Sequence, residues 1–207
     1  VTPTPPPLLA AAQVALDVPL RYACQGRSLA HAALAGASQF VELAHHPRAD
    51  VADPTAGTKF YYHAHRHGSG EHGHFHLFAY GPEGRDDFVH LAALSLNAQG
   101  QPLQWFTTNQ WVTAERWMPA AAVQARLATF RVATRGRLAP VARWLTAMVQ
   151  LFLPQLHTLL VQRDHALARL QQQHPTLTPE ALREDRRFDI LSHASAELAP
   201  RIGELTV

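Results

Sequence analysis

Six of the fourteen histidines in this chain fall between positions 63 and 76, at every second position within two half-runs. The run reads Tyr61-Tyr62-His63-Ala64-His65-Arg66-His67, then Gly68-Ser69-Gly70-Glu71, then His72-Gly73-His74-Phe75-His76-Leu77-Phe78. Successive side chains of a strand point to opposite faces, so each half places its histidines on one face. A four-residue loop at 68–71 with two glycines turns the halves into a hairpin. The expected rungs are His67 with His72, His65 with His74, and His63 with His76. The other face reads Phe60, Tyr62 and Ala64 against Phe75, Leu77 and Ala79. One face suits a core and the other suits ligands, and a one-residue slip would mix them.

Neutral imidazole is the commonest protein metal ligand. Directly opposed residues on a hairpin have Cβ atoms roughly 4.5–5.5 Å apart, which lets two rings converge on one ion. The metal candidates are therefore His63, His65, His74 and His76 on the middle rungs, His72 beside the turn, and His90 on the following strand. His67 borders the turn. His90 joins the face of His74 and His76 if its strand pairs in an even register. Glu71 is the candidate catalytic acid/base. Glu42 and His46 share a phase on an expected first strand, and one of them would complete a His/carboxylate set. Tyr61, Tyr80, Phe78, Trp105 and Trp111 are candidate pocket walls. A divalent transition metal is expected, with Zn, Fe, Cu and Ni all compatible with this donor set.

The rest of the chain frames the hairpin. At 207 residues with 47% hydrophobic content it suits one substantial core. One cysteine, Cys24, excludes an intramolecular disulfide and a thiolate zinc site, and reads as a small buried apolar group. The net charge is +2, with Lys59 the only lysine and no dense basic stripe, so nucleic acid is not an expected partner. Val141–Val161 carries Arg143, Gln150, Pro154, Gln155 and His157, the composition of a buried helix; no membrane partner is expected. A cytoplasmic location fits this pattern.

The expected architecture is α+β. Residues 1–7 form a flexible proline-rich arm and 8–207 a single domain, with a histidine-bearing sheet over 39–109 and a helical part over 113–198. The sheet is an antiparallel meander of about five strands: 39–46, 59–66, 72–79, 88–96 and 103–108. Residues 47–57 read as a loop. A helix starts at Thr113, with Glu115 in its first turn, and runs to about Val132. The next starts near Pro140, follows a stripe from Val141 to Leu159 and ends at His174-Pro175. Thr178-Pro179-Glu180 opens a last helix reaching Leu198. The mainly helical C-terminal half packs on one face, leaving the histidines on the other.

The Tyr61-Tyr62-His63-Ala64-His65 and Glu71-His72-Gly73-His74-Phe75-His76 segments resemble the signature of an uncharacterised bacterial domain family of unknown function. The likeness includes His46-Pro47, Asp50-Val51, Trp105–Asn109 and Trp111–Thr113, and omits His67. It implies a single domain and carries no activity. A His-x-His pair followed by Glu also occurs in cupins, but the spacing and the helical half differ here, so that similarity is one of ligand logic alone.

Two functions fit. One is a metal-dependent, non-haem enzyme, a hydrolase or an oxygenase, acting on a small organic substrate. The other is a non-catalytic metal sensor, carrier or buffer. A pH-responsive interaction domain is a third, weaker fit. No His-Glu-x-x-His, Gly-x-Ser-x-Gly or Walker loop is present, which removes several common classes.

Overall fold

The computed structural model describes residues 6–37, 41–63 and 70–205. Positions 1–5 of the expected arm, together with His65 and His67, lie outside the described residues. The described chain is α+β. Six antiparallel strands follow one another in sheet order: β1 His46–Asp53, β2 Thr58–His63, β3 Gly73–Gly81, β4 Gly84–Leu96, β5 Pro102–Thr108 and β6 Ile190–Ser195. The helices are α1 Pro6–Ala23, α2 Leu29–Ala33, α3 Gln110–Thr113, α4 Ala120–Leu127, α5 Ala139–Gln173, α6 Pro179–Arg183 and α7 Leu198–Gly203.

One face of the sheet carries the core. Phe60, Tyr62, Phe75, Leu77, Leu94 and Trp105 pack there against Trp144, Leu145, Met148 and Phe152 of α5. Ring contacts mark the seam, with Phe75 to Trp144 at 6.3 Å and Trp105 to Phe152 at 6.1 Å between centroids. By length and composition the Gly136–Gln173 stretch could cross a membrane, but 56% of its most apolar window is buried in this fold, as befits a core helix. At the seam's edge, Ser192 of β6 donates to the Leu159 carbonyl at 2.8 Å and pairs with Thr107 at 2.6 Å.

Proline is accommodated rather than obeyed as a stop. Helix α1 continues through Pro19 to Ala23. Pro19 has no N–H for the Ala15 carbonyl one turn earlier. The Trp144 indole of α5 donates to that carbonyl instead, at 3.3 Å. Pro154 likewise stays inside α5, on an exposed position.

Several element boundaries differ from expectation. The first strand is 46–53, not 39–46. Residues 39 and 40 lie outside the described part, and 41–45 form a turn. Asp50 anchors the new strand through Lys59 at 2.9 Å, and Asp53 ends it by accepting the N–H groups of Thr55, Ala56 and Ala133. No helix starts at Thr113. Asn109 caps a single turn, α3, which closes with Ala114 in the left-handed region at φ 53°. Pro119 then precedes α4, whose first N–H is capped by Asp164 at 2.7 Å. The helix opened by Thr178 stops at Arg183 instead of reaching Leu198, and 190–195 is strand. Cys24 is exposed rather than buried.

Candidate metal centre

The hairpin faces fall as the alternation requires, but its register is shifted by two residues. The observed rungs are Tyr61 with His76, Tyr62 with Phe75, and His63 with His74. His63 therefore opposes His74 rather than His76. Because the shift is even, the imidazoles keep one face. Gly73 belongs to this arrangement. A Cβ there would lie 2.7 Å from the His63 carbonyl oxygen and 2.7 Å from the Tyr62 hydroxyl. Only a glycine lets the Tyr62 ring pass, and the Tyr62 hydroxyl reaches Nδ1 of His72 at 2.8 Å.

Three histidines come together. One ring nitrogen each from His63, His74 and His76 lies within 4.8 Å of the others. Nε2 of His63 is 2.9 Å from Nε2 of His74. A tetrahedral ion about 2.0–2.1 Å from each nitrogen sets them roughly 3.3 Å apart, between the 2.9 Å of the His63–His74 pair and the 4.8 Å that bounds the triad. His74 and His76 are fully buried, and His63 is half-buried.

The surrounding groups orient these rings. The Glu71 carboxylate meets Nδ1 of His74 at 2.5 Å and is itself almost fully buried. With the Nδ1 proton given to Glu71, Nε2 of that ring presents its lone pair towards His63. Nδ1 of His76 meets Nε2 of His90 at 3.0 Å, and Nδ1 of His90 meets the Thr108 hydroxyl at 3.2 Å. Burial, aided by Arg163 and His74, pushes His90 down to about 3, so this ring is neutral. Its backbone N–H donates to Glu115 at 2.5 Å. Burial raises Glu115 to about 8, against the opposing pull of that N–H and of Arg163.

A bulge decides where His90 points. His76 faces Ala93 and Leu77 faces Ala92, but the next partner of Phe78 is His90, not Leu91. A regular ladder would have sent His90 into the core. With the extra residue, Leu91 and Ala92 both join the core and His90 rejoins the imidazole face.

The imidazole face lies away from α5, under the 41–45 turn and the 109–117 segment. A cavity of about 300 Å³ opens there, lined by His63, His76, Thr108, Trp111, Val112, Leu43 and Asp189. Other depressions, such as the one flanked by Leu16, Pro19 and Leu103, do not reach the three histidines.

The expected site residues thus separate. His63, His74 and His76 converge, with Glu71 and His90 directly behind them. His72 does not join, since its Nδ1 turns to Tyr62; burial lowers its affinity for a proton. His46 points to the Val41 carbonyl at 3.4 Å, and Glu42 sits in the 41–45 turn. Trp111 lines the cavity, Trp105 is in the core, and Tyr80 stands near the far end of β3. Tyr61 lies among the rings, and burial pushes its hydroxyl far above the usual range.

Some participants were not foreseen. His45 stacks on Tyr61 at 3.7 Å and pairs through Nδ1 with Asp50 at 3.0 Å. Burial alone would raise Asp50, but hydrogen bonds from His45 and Lys59 outweigh it and hold the carboxyl below its ordinary value. Leu43, Asp189 and Glu115 are equally unannounced. Only folding brings them to the sheet, and no local spacing marks them.

An α+β fold with three convergent histidines beneath a partly apolar cavity defines a candidate metalloprotein of meander type. A family model described as a domain of unknown function, DUF6969, matches residues 9–196, and the chain belongs to that family. No curated protein and no solved structure matches it.

Proposed function

We propose that this protein is a metal-dependent, non-haem enzyme acting on a small organic substrate. His63, His74 and His76 would hold one divalent transition metal, and the cavity beside them would take the substrate. The observation that carries this reading is that His63 and His76 serve both the triad and the cavity wall. A closed structural site would use four protein ligands, whereas three leave a position for chemistry. Three neutral imidazoles leave the ion its full positive charge, which suits activation of water or, with a redox metal, oxygen chemistry. In this reading Glu71 is a positioning residue. It fixes the tautomer of His74 from the ring nitrogen remote from His63, and outer-shell carboxylates of this kind tune affinity.

The test is metal analysis of protein purified without a histidine tag. Wild-type protein should carry about one ion per chain, as should His72→Ala. His63→Ala, His74→Ala and His76→Ala should each retain less than about a tenth of that, given that each ligand lost removes a large share of the affinity. Full metal content in His74→Ala would remove the site. An ion that accepts no added small ligand such as azide would favour a carrier or buffer over an enzyme.

A further inference from the structure

Leu43 bears two costs that its own packing does not offset. Its backbone lies at φ 64°, in the left-handed region that crowds the Cβ of any L-residue and that leucine, unlike asparagine or glycine, rarely enters. Its side chain is also 67% exposed. Strain of this kind persists where the surroundings impose it, and it concentrates at ligand clamps. Leu43 stands at such a place, on the wall of the cavity that His63 and His76 share.

A second wall is held rigidly. The Trp111 indole N–H donates to the Phe188 carbonyl at 2.7 Å, and the Arg186 guanidinium lies 5.7 Å from the ring. A pinned indole offers a flat apolar surface with little entropy left to lose on binding. Val112 extends that surface, while Thr108 already engages His90. At about 300 Å³ the cavity is at the small end of ligand sites. Its polar groups are the imidazoles, Thr108 and Asp189, whose carboxylate already accepts the Ile190 N–H at 2.7 Å, and the rest of the lining is apolar.

We infer that the ligand of this site is a small molecule with a planar, single-ring apolar body and an oxygen-donor head that reaches the metal, and that Leu43 and Trp111 select it. This deepens the enzymatic reading above and rests on it. A bound ring gives the exposed leucine an apolar partner and explains why a leucine occupies a position where glycine would be unstrained.

Cobalt-loaded protein tests the inference through its visible spectrum. Two probes share one chelating head: benzohydroxamate, with a ring, and acetohydroxamate, without. Wild-type protein should bind benzohydroxamate at least about tenfold more tightly, the scale on which apolar pockets discriminate. Leu43→Gly and Trp111→Ala should bring the ratio to about twofold or less with cobalt content unchanged. Leu43→Gly should also raise Tm, since glycine relieves the left-handed strain; a merely structural residue would not couple higher stability to lost discrimination. Because Trp111→Ala risks misfolding, Leu43→Gly is decisive. Equal affinities for the two probes, or an undiminished ratio in Leu43→Gly, overturns this inference and leaves the metal site standing. Failure to take up cobalt overturns both.

Discussion

Glu115 shows how much one buried group can govern. Its Oε2 accepts the His90 N–H, while Oε1 is buried without a hydrogen-bond partner among the described residues. Its folded pKa, about 8, stands above the ordinary 4.5. The fold is therefore favoured with the proton on. That contribution is complete below about 4.5 and is lost as pH rises through about 8. Glu115→Gln keeps the acceptor and never ionises. Urea unfolding of both proteins at pH 5 and pH 8 should show the wild type losing stability relative to the variant, by at most about 1.4 kcal/mol per pH unit. A constant difference across that range would mean that Glu115 is charged when folded. No local pattern marks this role: a glutamate two residues after a threonine reads as a helix-dipole partner, and only the left-handed turn at Ala114 aims it inward. His63, His74 and His76 were legible for the opposite reason, because period-two spacing needs no distant information. His72 shares that spacing but precedes the strand, so its phase means nothing there.

The hairpin depends on Gly73 as much as on its histidines. Gly73→Ala would press a methyl group against both the His63 carbonyl and the Tyr62 ring. Overpacking of this kind costs typically about 1–3 kcal/mol. Chemical denaturation should register that loss, and metal affinity should fall with it because the His63–His74 rung is the one displaced. Strands β2 to β5 were readable from alternation and turn residues. Strand β1 was not, because Pro47 and the charged Arg48, Asp50 and Asp53 look like loop. Strand β6 was not, because its partner β5 lies more than eighty positions earlier and a strong cap at Thr178 suggested a long helix. That cap is real, since Thr178 accepts the Ala181 N–H at 3.1 Å, but it serves a single turn. Nor could sequence reveal the bulge at Leu91, which an apolar run conceals.

For the molecule as a whole, a metal held by His63 on β2 and by His74 and His76 on β3 would bind the folded chain and not the unfolded one. At free metal about 100-fold above its dissociation constant, such binding adds about 2.7 kcal/mol. For a chain of this size that corresponds to about 5–10 °C in Tm. Thermal melts with and without a chelator should differ by that amount in wild-type protein and coincide in His74→Ala; identical melts in the wild type would speak against bound metal. The cavity has a wider consequence. Its lining is drawn from the 41–45 turn, strands β2, β3 and β5, helix α3 and the residue just before β6. No contiguous fragment shorter than the span from Leu43 to Asp189 contains it. Ligand recognition therefore reports on closure of that whole span, and a truncated or permuted version that still gripped the aromatic probe would have to have completed its topology first.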